Sequence, residues 1–313
     1  MKLIAGVDLG GTKCLGVLAG ADHVVRAESQ LSVARSGSAE EALEVTLEDL
    51  RSIAAAQGAE IAALGVGIPA VVDPRTGLAV RGPNAGWDGF DLDAVLRRLG
   101  VPFGVENDVN LAALAEGDVG QAVGVETYAV IAIGTGLGGA VVNQRRCLPG
   151  ANNAAGELGI LPVAPFADPA GRSNLEQILS GKAIADNAAA YLAEHPAARR
   201  ELGSDPDAKA VFAAALDGSP AGQALLAPVL RALAYAVTAL SAVIDPGLVV
   251  LDGSVGRALA PFLDKIQFPP GLPAPRLAVS RLEPSATALG ALRLASTLPR
   301  PTTVKEIADV GHY

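Results

Sequence analysis

Cysteine is nearly absent from this chain, with Cys14 and Cys147 the only two in 313 residues. Two cysteines support neither a disulfide framework nor a cysteine-rich metal site, and a cytoplasmic enzyme is the expectation. Basic runs are missing too. With a formal charge of -9, nonspecific binding to nucleic acid is not expected. The apolar segments are short and cut by Gly, Pro or charge. None reaches the uninterrupted span of roughly 20 residues that a membrane helix needs, so no membrane partner is expected. The start, MKLIAGVDLGG, has one Lys and a short apolar run before Asp8 and the glycines. It reads as a buried strand and not as a secretion signal. The single tryptophan, Trp87, is expected in packing rather than as a stacking platform.

What the chain does have is hydrophobic mass in short pieces. Half of its residues are hydrophobic, enough at this length for two domains. KLIAGVDL (2–9) and KCLGVLAG (13–20) read as buried strands joined by the tight reversal GGT, a hairpin. A third strand is expected over 22–33. In SAEEALEVTLEDLRSIAAAQG, Ser38 precedes Glu40 and Glu41, apolar residues recur at helical spacing and Gly58 closes the run, which predicts a capped amphipathic helix. IAALGVGIP is a strand, 73–77 a turn, DLDAVLRRLG a short helix, VPFGVEND a strand and VNLAALAEG a helix.

The opening pattern then returns. TYAVIAIGTGLGGAVVNQRRCLPG again gives strand, turn rich in Gly and Thr, strand and a third strand. This weak internal repeat suggests two related α/β domains. Residues 161–173 form a proline-rich loop, and helices are expected through 174–217 and near 220–244. GLVVLDGSVGRALAPFLDKI reads as strand, glycine turn and helix, PRLAVSRL as a late strand, and SATALGALRLAST as a final core helix.

Two turns carry the chemical signal: DLGGTK (8–13) and GTGLGG (134–139). Glycine lets backbone N–H groups approach phosphate oxygens with no Cβ in the way, and it permits positive φ. Thr12 and Thr135 add hydroxyl donors, and Asp8 is placed to hold Mg²⁺ directly or through water. Neither turn is a P-loop, and GTGLGG is not a dinucleotide fingerprint, because a strand follows it. Taken singly, each reads first as a structural hairpin, since hairpins rich in Gly are common.

With LDGSVG (251–256), the pair resembles the phosphate-1, phosphate-2 and adenosine motifs of the actin-like ATPase fold. That fold is a two-lobed, ribonuclease H-like α/β architecture of mixed sheets flanked by helices. Within it the chain resembles the ROK family of sugar kinases and related repressors, close to its bacterial glucokinases. GVGIPAVVD, PNAGW, ENDVNLAALAEG, GELG, NLEQILSG, DPGLVVLDGSVG and ALGALRLA match in order and approximate spacing over nearly the whole chain. The reading gives an N-terminal lobe of residues 1–117 plus 298–313, a C-terminal lobe of 118–297, and an active site in the cleft between them. The resemblance implies ATP and Mg²⁺ as cofactors, a hexose as acceptor (glucose or a related sugar, at its 6-hydroxyl) and a homodimer. The residues implied for nucleotide are Asp8, Gly10, Gly11, Thr12, Lys13, Gly134, Thr135, Gly136, Gly138 and Gly253, with Asp8 the candidate for Mg²⁺.

In ENDVNLAALAEG, Asp108 stands where the family has its catalytic base. A carboxylate there orients a sugar hydroxyl and accepts its proton late in the transfer. Asp is also a favoured helix N-cap, so the same residue fits a purely structural role. Asn84, Asn107, Glu157 and Glu176 resemble the family's hydroxyl-binding residues. Asn84 equally suits a turn after Pro83, and Glu176 the first turn of a helix.

The pattern breaks at the family's zinc site. Ile160 stands at the His position, and Ala167, Pro169 and Asn174 at the three cysteine positions, while His23, His195 and His312 lie elsewhere. Structural zinc takes four suitable ligands, so no zinc is expected. In the family this His also touches the sugar, so Ile160 bears on which sugar is taken. The family's repressors carry an additional N-terminal helix-turn-helix, and this chain opens on a strand, so specific DNA binding is not expected. The alternatives to a glucokinase are a kinase for another sugar, one using polyphosphate as donor, or a sugar- and nucleotide-binding protein without catalysis.

Overall fold

Two five-stranded sheets organise the chain, and both are wired alike. The structure, a computed structural model, describes residues 1–72, 79–81, 92–163, 173–271 and 274–298. The first part of the chain runs β1 (Lys2–Leu9), β2 (Lys13–Ala19), β3 (Val25–Ser32), α1 (Val33–Ser36), α2 (Ala39–Ala56), β4 (Glu60–Ile68), β5 (Val71–Val72), β6 (Ala79–Arg81), α3 (Leu92–Arg97), β7 (Phe103–Asn107) and α4 (Asp108–Val119). It continues through β8 (Thr127–Ile133), β9 (Leu137–Asn143), β10 (Arg146–Cys147), α5 (Glu176–Leu179), α6 (Gly181–Glu194), α7 (Arg199–Leu202), α8 (Ala208–Leu216) and α9 (Pro220–Ile244). It ends with β11 (Leu248–Asp252), α10 (Gly253–Ala258), β12 (Arg276–Val279) and α11 (Ala286–Thr297). The first sheet has the order β3-β2-β1-β4-β7 and the second β10-β9-β8-β11-β12. In each, one central strand pairs antiparallel with the next strand in the chain and parallel with a later one. The repeat expected from the two glycine hairpins is therefore a repeat of topology.

Among the described residues, those of Met1–Val119, Pro149–Ala154 and 282–298 form one unit, and those of Gly120–Leu148 with Ala155–Arg281 the other. In the first unit the period of two along β1 sorts side chains by face. Leu3, Ala5, Val7 and Leu9 share a core with Leu43, Leu47 and Leu50 of α2. Ile4 turns the other way, and with Leu15 and Val17 of β2 it packs on Ala288, Leu292 and Ala295 of α11. Each leucine buried in these layers stabilises the fold by about 1.5–3 kcal/mol relative to exposure. The N-terminus of α2 is fixed as its sequence predicts: Ser38 accepts a hydrogen bond from the Glu41 N–H at 3.1 Å.

Helix α11 departs from the expected lobe boundary. On sequence, residues 118–297 form one lobe, yet α11 belongs to the first unit. The reason is backbone proximity: a Cβ at Gly6 would collide with the Ala288 carbonyl oxygen, and one at Gly65 with that of Ala291. Glycine in β1 and β4 lets the helix lie directly on the sheet. A second departure follows β11, where a single helix was expected. The chain forms α10 and then a separate 3₁₀ turn, Ala260–Lys265, with Pro261 near its start. Proline has no N–H to continue an α-helical ladder.

Helix α9 is long and apolar enough to cross a membrane by length and composition, with a mean hydropathy of 1.7 over its best 18 residues. Its Leu225, Leu226, Val229, Leu233, Val237 and Leu240 lie in the core of the second unit, and Gln223 and Arg231 interrupt its apolar run. The turn at 73–77, Asn84, Trp87, Ala167, Pro169, His312 and the tail from Pro299 on lie outside the described residues. The ends of the proline-rich loop are held together by the Leu175 N–H on the Leu161 carbonyl (3.0 Å) and the Val163 N–H on that of Ser173 (3.2 Å).

Neither cysteine is in a disulfide, and their environments differ. Burial pushes the Cys14 thiol up to about 12. Reactivity belongs to the thiolate. A thiol reagent at pH 8 is expected to label Cys147 in the native protein and Cys14 only after unfolding; two rapid equivalents in the native state would contradict the buried setting of β2.

Candidate active site

The C-terminal edge of the parallel strands gathers the candidate residues of the first unit. Asp8 pairs in register with Gly67, Gly67 with Glu106, and Ile68 with Asn107. Neighbouring strands lie about 4.8 Å apart, which puts the backbones of Asp8 and Glu106 about 10 Å apart across β4. Asp108 follows as the first residue of α4. Such edges of parallel strands are where α/β sheets bind ligands.

Asn107, not Asp108, caps α4. Its Oδ1 accepts from the N–H groups of Val109 (3.0 Å) and Asn110 (3.1 Å), and its Nδ2 donates to the Ala70 carbonyl at 3.2 Å. Asp108 Oδ1 also accepts from the Val109 N–H at 2.9 Å, so its carboxylate sits at the positive end of the helix. Glu106 buttresses the turn, accepting from the Asn107 N–H (2.8 Å) and from Asn110 Nδ2 (3.1 Å). Most of the hydrogen-bonding capacity of Asn107 is thus committed to backbone.

Two residues that the sequence did not single out tie this edge together. At the start of α11, Ser285 Oγ donates to Asp8 Oδ2 at 2.7 Å and accepts from the Ala288 N–H at 3.3 Å. Thr287 Oγ1 donates to the Asp108 carbonyl oxygen at 3.1 Å. A Cβ at Gly67 would collide with Thr287 Cγ2, so the glycine of GVGIP makes room for this contact. The visible signal was a Ser opening an apolar helix, a capping pattern. The first glycine turn, closed by the Gly10 N–H on the Lys13 carbonyl at 2.9 Å, leaves Gly11, Thr12 and Lys13 exposed.

The second unit repeats the device. Ile133 pairs with Leu137, and the Gly134 N–H donates to the Gly136 carbonyl at 3.0 Å, leaving Thr135 exposed at the tip. GELG lies against β9: a Cβ at Gly139 would come within 2.7 Å of the Gly156 carbonyl oxygen, and one at Gly159 within 2.7 Å of that of Leu137. Gly156 itself has φ +92°, a conformation that favours glycine. Half-buried Glu157 follows it. Glu176 reaches the same strand and accepts from the Leu137 N–H at 3.0 Å. Gly253 has φ +81°, and a Cβ there would collide with the Ile133 carbonyl oxygen, so the third glycine motif lies against the end of β8. Asp252, beside it, is buried and ion-paired with Arg257 at 2.9 Å.

For a metal, Asp8 offers one hard oxygen donor. No three His, Cys, Asp or Glu side chains gather as a metal cage among the described residues. A single carboxylate beside a phosphate-type turn suits Mg²⁺, which keeps much of its water and is held largely by substrate phosphates. At the positions of the family's zinc ligands, Ile160 is 71% exposed and Asn174 accepts from the Gln177 N–H at 3.1 Å.

The sequence profile of the ROK family matches residues 4–297. The glucokinase of Halalkalibacterium halodurans is 30% identical over 208 residues, 64% of this chain and 63% of that one. The N-acetylmannosamine kinase of Escherichia fergusonii is 32% identical over 262 residues, 80% of this chain and 83% of that one. Among solved structures, a ROK family glucokinase from Streptomyces griseus in complex with glucose and AMPPNP superposes with a TM-score of 0.78, at 25% identity, covering 94% of this chain and 99% of that one.

Proposed function

The chain belongs to the ROK family and has its actin-like ATPase fold, and from that premise we propose that it transfers the terminal phosphoryl group of ATP to a hexose hydroxyl. In this reading Asp108 is the base, glucose or a related sugar is the acceptor, and the 6-hydroxyl is the attacking group. The observation that carries it is the start of α11, where Ser285 and Thr287 fix Asp8 and Asp108 on one edge of the first sheet. One helix terminus thereby sets the spacing of the residue assigned to metal and phosphate and the residue assigned to the sugar.

The chemistry follows from what each group offers. A sugar hydroxyl is a poor nucleophile, and the Asp108 carboxylate accepts its hydrogen bond, aims its oxygen, and takes its proton late in the transfer. Asn107 acts as the cap that holds Asp108 at the first position of the helix. The exposed backbone of Gly11 and Thr12, and of Thr135 in the second unit, presents N–H groups to phosphate oxygens. Mg²⁺, when bound, neutralises phosphate charge, with Asp8 as its protein ligand. Glu157 remains the sugar contact of the second unit, and zinc has no role here.

A second reading keeps the reaction and changes the sugar. One relative is named for N-acetylmannosamine, and Ile160 replaces an imidazole with an exposed hydrocarbon. Both are served by one experiment, ADP release from ATP and Mg²⁺ in the presence of glucose, mannose, N-acetylmannosamine, N-acetylglucosamine and fructose, with polyphosphate as an alternative donor. Turnover dependent on at least one sugar is expected. Folded protein that binds nucleotide yet turns over none of them would defeat the kinase reading.

A further inference from the structure

We propose that Glu176 is a positioning residue for the second glycine turn, and that it acts on nucleotide binding through that turn. The inference rests on the reading of Gly134–Gly136 as a phosphate-binding turn. Its geometry is independent of that reading. Glu176 Oε2 accepts from the N–H of Leu137, the residue that closes the turn, at 3.0 Å. Five residues on, the Gly181 N–H donates to the carbonyl of Gly134, the residue that opens the turn, at 2.7 Å. One short segment therefore grips both ends of the hairpin, a carboxylate on one side and a backbone N–H on the other.

The surroundings are cut to fit this grip. A Cβ at Gly136 would stand 3.1 Å from Glu176 Oε2, tighter than an ordinary contact. A Cβ at Gly159 would stand 3.5 Å from Glu176 Cβ and 2.7 Å from the Leu137 carbonyl oxygen. At Gly181 it would come within 2.9 Å of the Gly134 carbonyl oxygen. Three glycines from three segments thus leave room for the carboxylate and the turn to meet. With the Gly134 carbonyl drawn to Gly181 and its N–H spent on Gly136, the N–H groups left at the tip are those of Thr135 and Gly136; neither donates to another described residue. Pinning the two ends fixes the direction of those donors, and a turn already ordered gives up less entropy on binding an anion.

A carboxylate that serves only a sugar hydroxyl would not affect nucleotide affinity when no sugar is present, and this separates the two roles. Binding of AMPPNP with Mg²⁺ is measured by calorimetry without sugar, for the wild type, Glu176→Ala and Glu176→Gln. Gln keeps an oxygen that accepts from Leu137 and removes the charge. Glu176→Ala is expected to weaken binding about tenfold, the size of a lost hydrogen bond to a charged group, and Glu176→Gln to bind within about threefold of the wild type. Equal or tighter binding by Glu176→Ala, with sugar KM alone raised, overturns the proposal. Should Glu176→Ala not fold, Glu176→Asp answers in its place: its carboxylate is one methylene shorter and falls short of the Leu137 N–H, so nucleotide binding equal to the wild type counts against the grip. Wild type that binds no nucleotide would instead refute the phosphate reading of the turn.

Discussion

Asp108→Asn is expected to lower turnover by about 10²–10⁴-fold while the protein stays folded. The substitution separates the two roles that one carboxylate at the start of a helix can have. Asn keeps an oxygen for the Val109 N–H that Asp108 accepts at 2.9 Å. It does not touch the cap, which Asn107 provides, and Thr287 bonds the backbone oxygen of residue 108 rather than its side chain. What is lost in stability is the charge at the helix N-terminus, about 0.3–1 kcal/mol. What is lost in chemistry is the only group proposed to receive the hydroxyl proton. Sugar-dependent ADP release and a urea melt measure both at once. Turnover within a few-fold of the wild type would remove Asp108 as the base and leave it a first-turn acid.

Gly290→Ala carries the largest expected cost in stability, against the usual direction. In a helix interior, alanine is favoured over glycine by about 1 kcal/mol. Here a Cβ at Gly290 would collide with the carbonyl oxygen of Leu111 in α4, so the gain is overturned. Overpacking of this kind costs about 1–3 kcal/mol and more where backbone must move. Gly65→Ala, whose Cβ meets the Ala291 carbonyl oxygen, is expected to behave alike. Gly290→Ala pushes α11 away from α4 and Gly65→Ala pushes it off the sheet; either shift disturbs the Ser285 and Thr287 contacts to Asp8 and Asp108, so activity should fall with stability. Gly11→Ala is the control: nothing lies within 4 Å of its Cβ, and its urea midpoint should match the wild type. A wild-type midpoint for Gly290→Ala would mean that the two helices do not cross at backbone distance.

Much of this site was legible because it is written in local patterns. The capped helix from Ser38, the two glycine hairpins and the handover from strand to helix at residue 108 each depend on neighbours a few residues apart. Apolar period and turn chemistry act at that range, so the sequence states them directly. The two sheets follow from the same information, since each hairpin declares the central strand of its sheet.

The sequence by itself determined the elements, the family pattern and the identity of the acids at Asp8, Asp108, Glu157 and Glu176. Only the tertiary structure decided which of these are held, and by what. It assigned α11 to the unit of β1, some 280 residues earlier in the chain, and brought Ser285 to Asp8. It gave the cap of α4 to Asn107 and the Glu176 carboxylate to the turn at Leu137. The placement of α11 depends on how closely backbones pass, and that distance is set by glycines at Gly6, Gly65, Gly67 and Gly290 whose partners lie far away in sequence. A missing Cβ says that something comes near; only the folded chain says what.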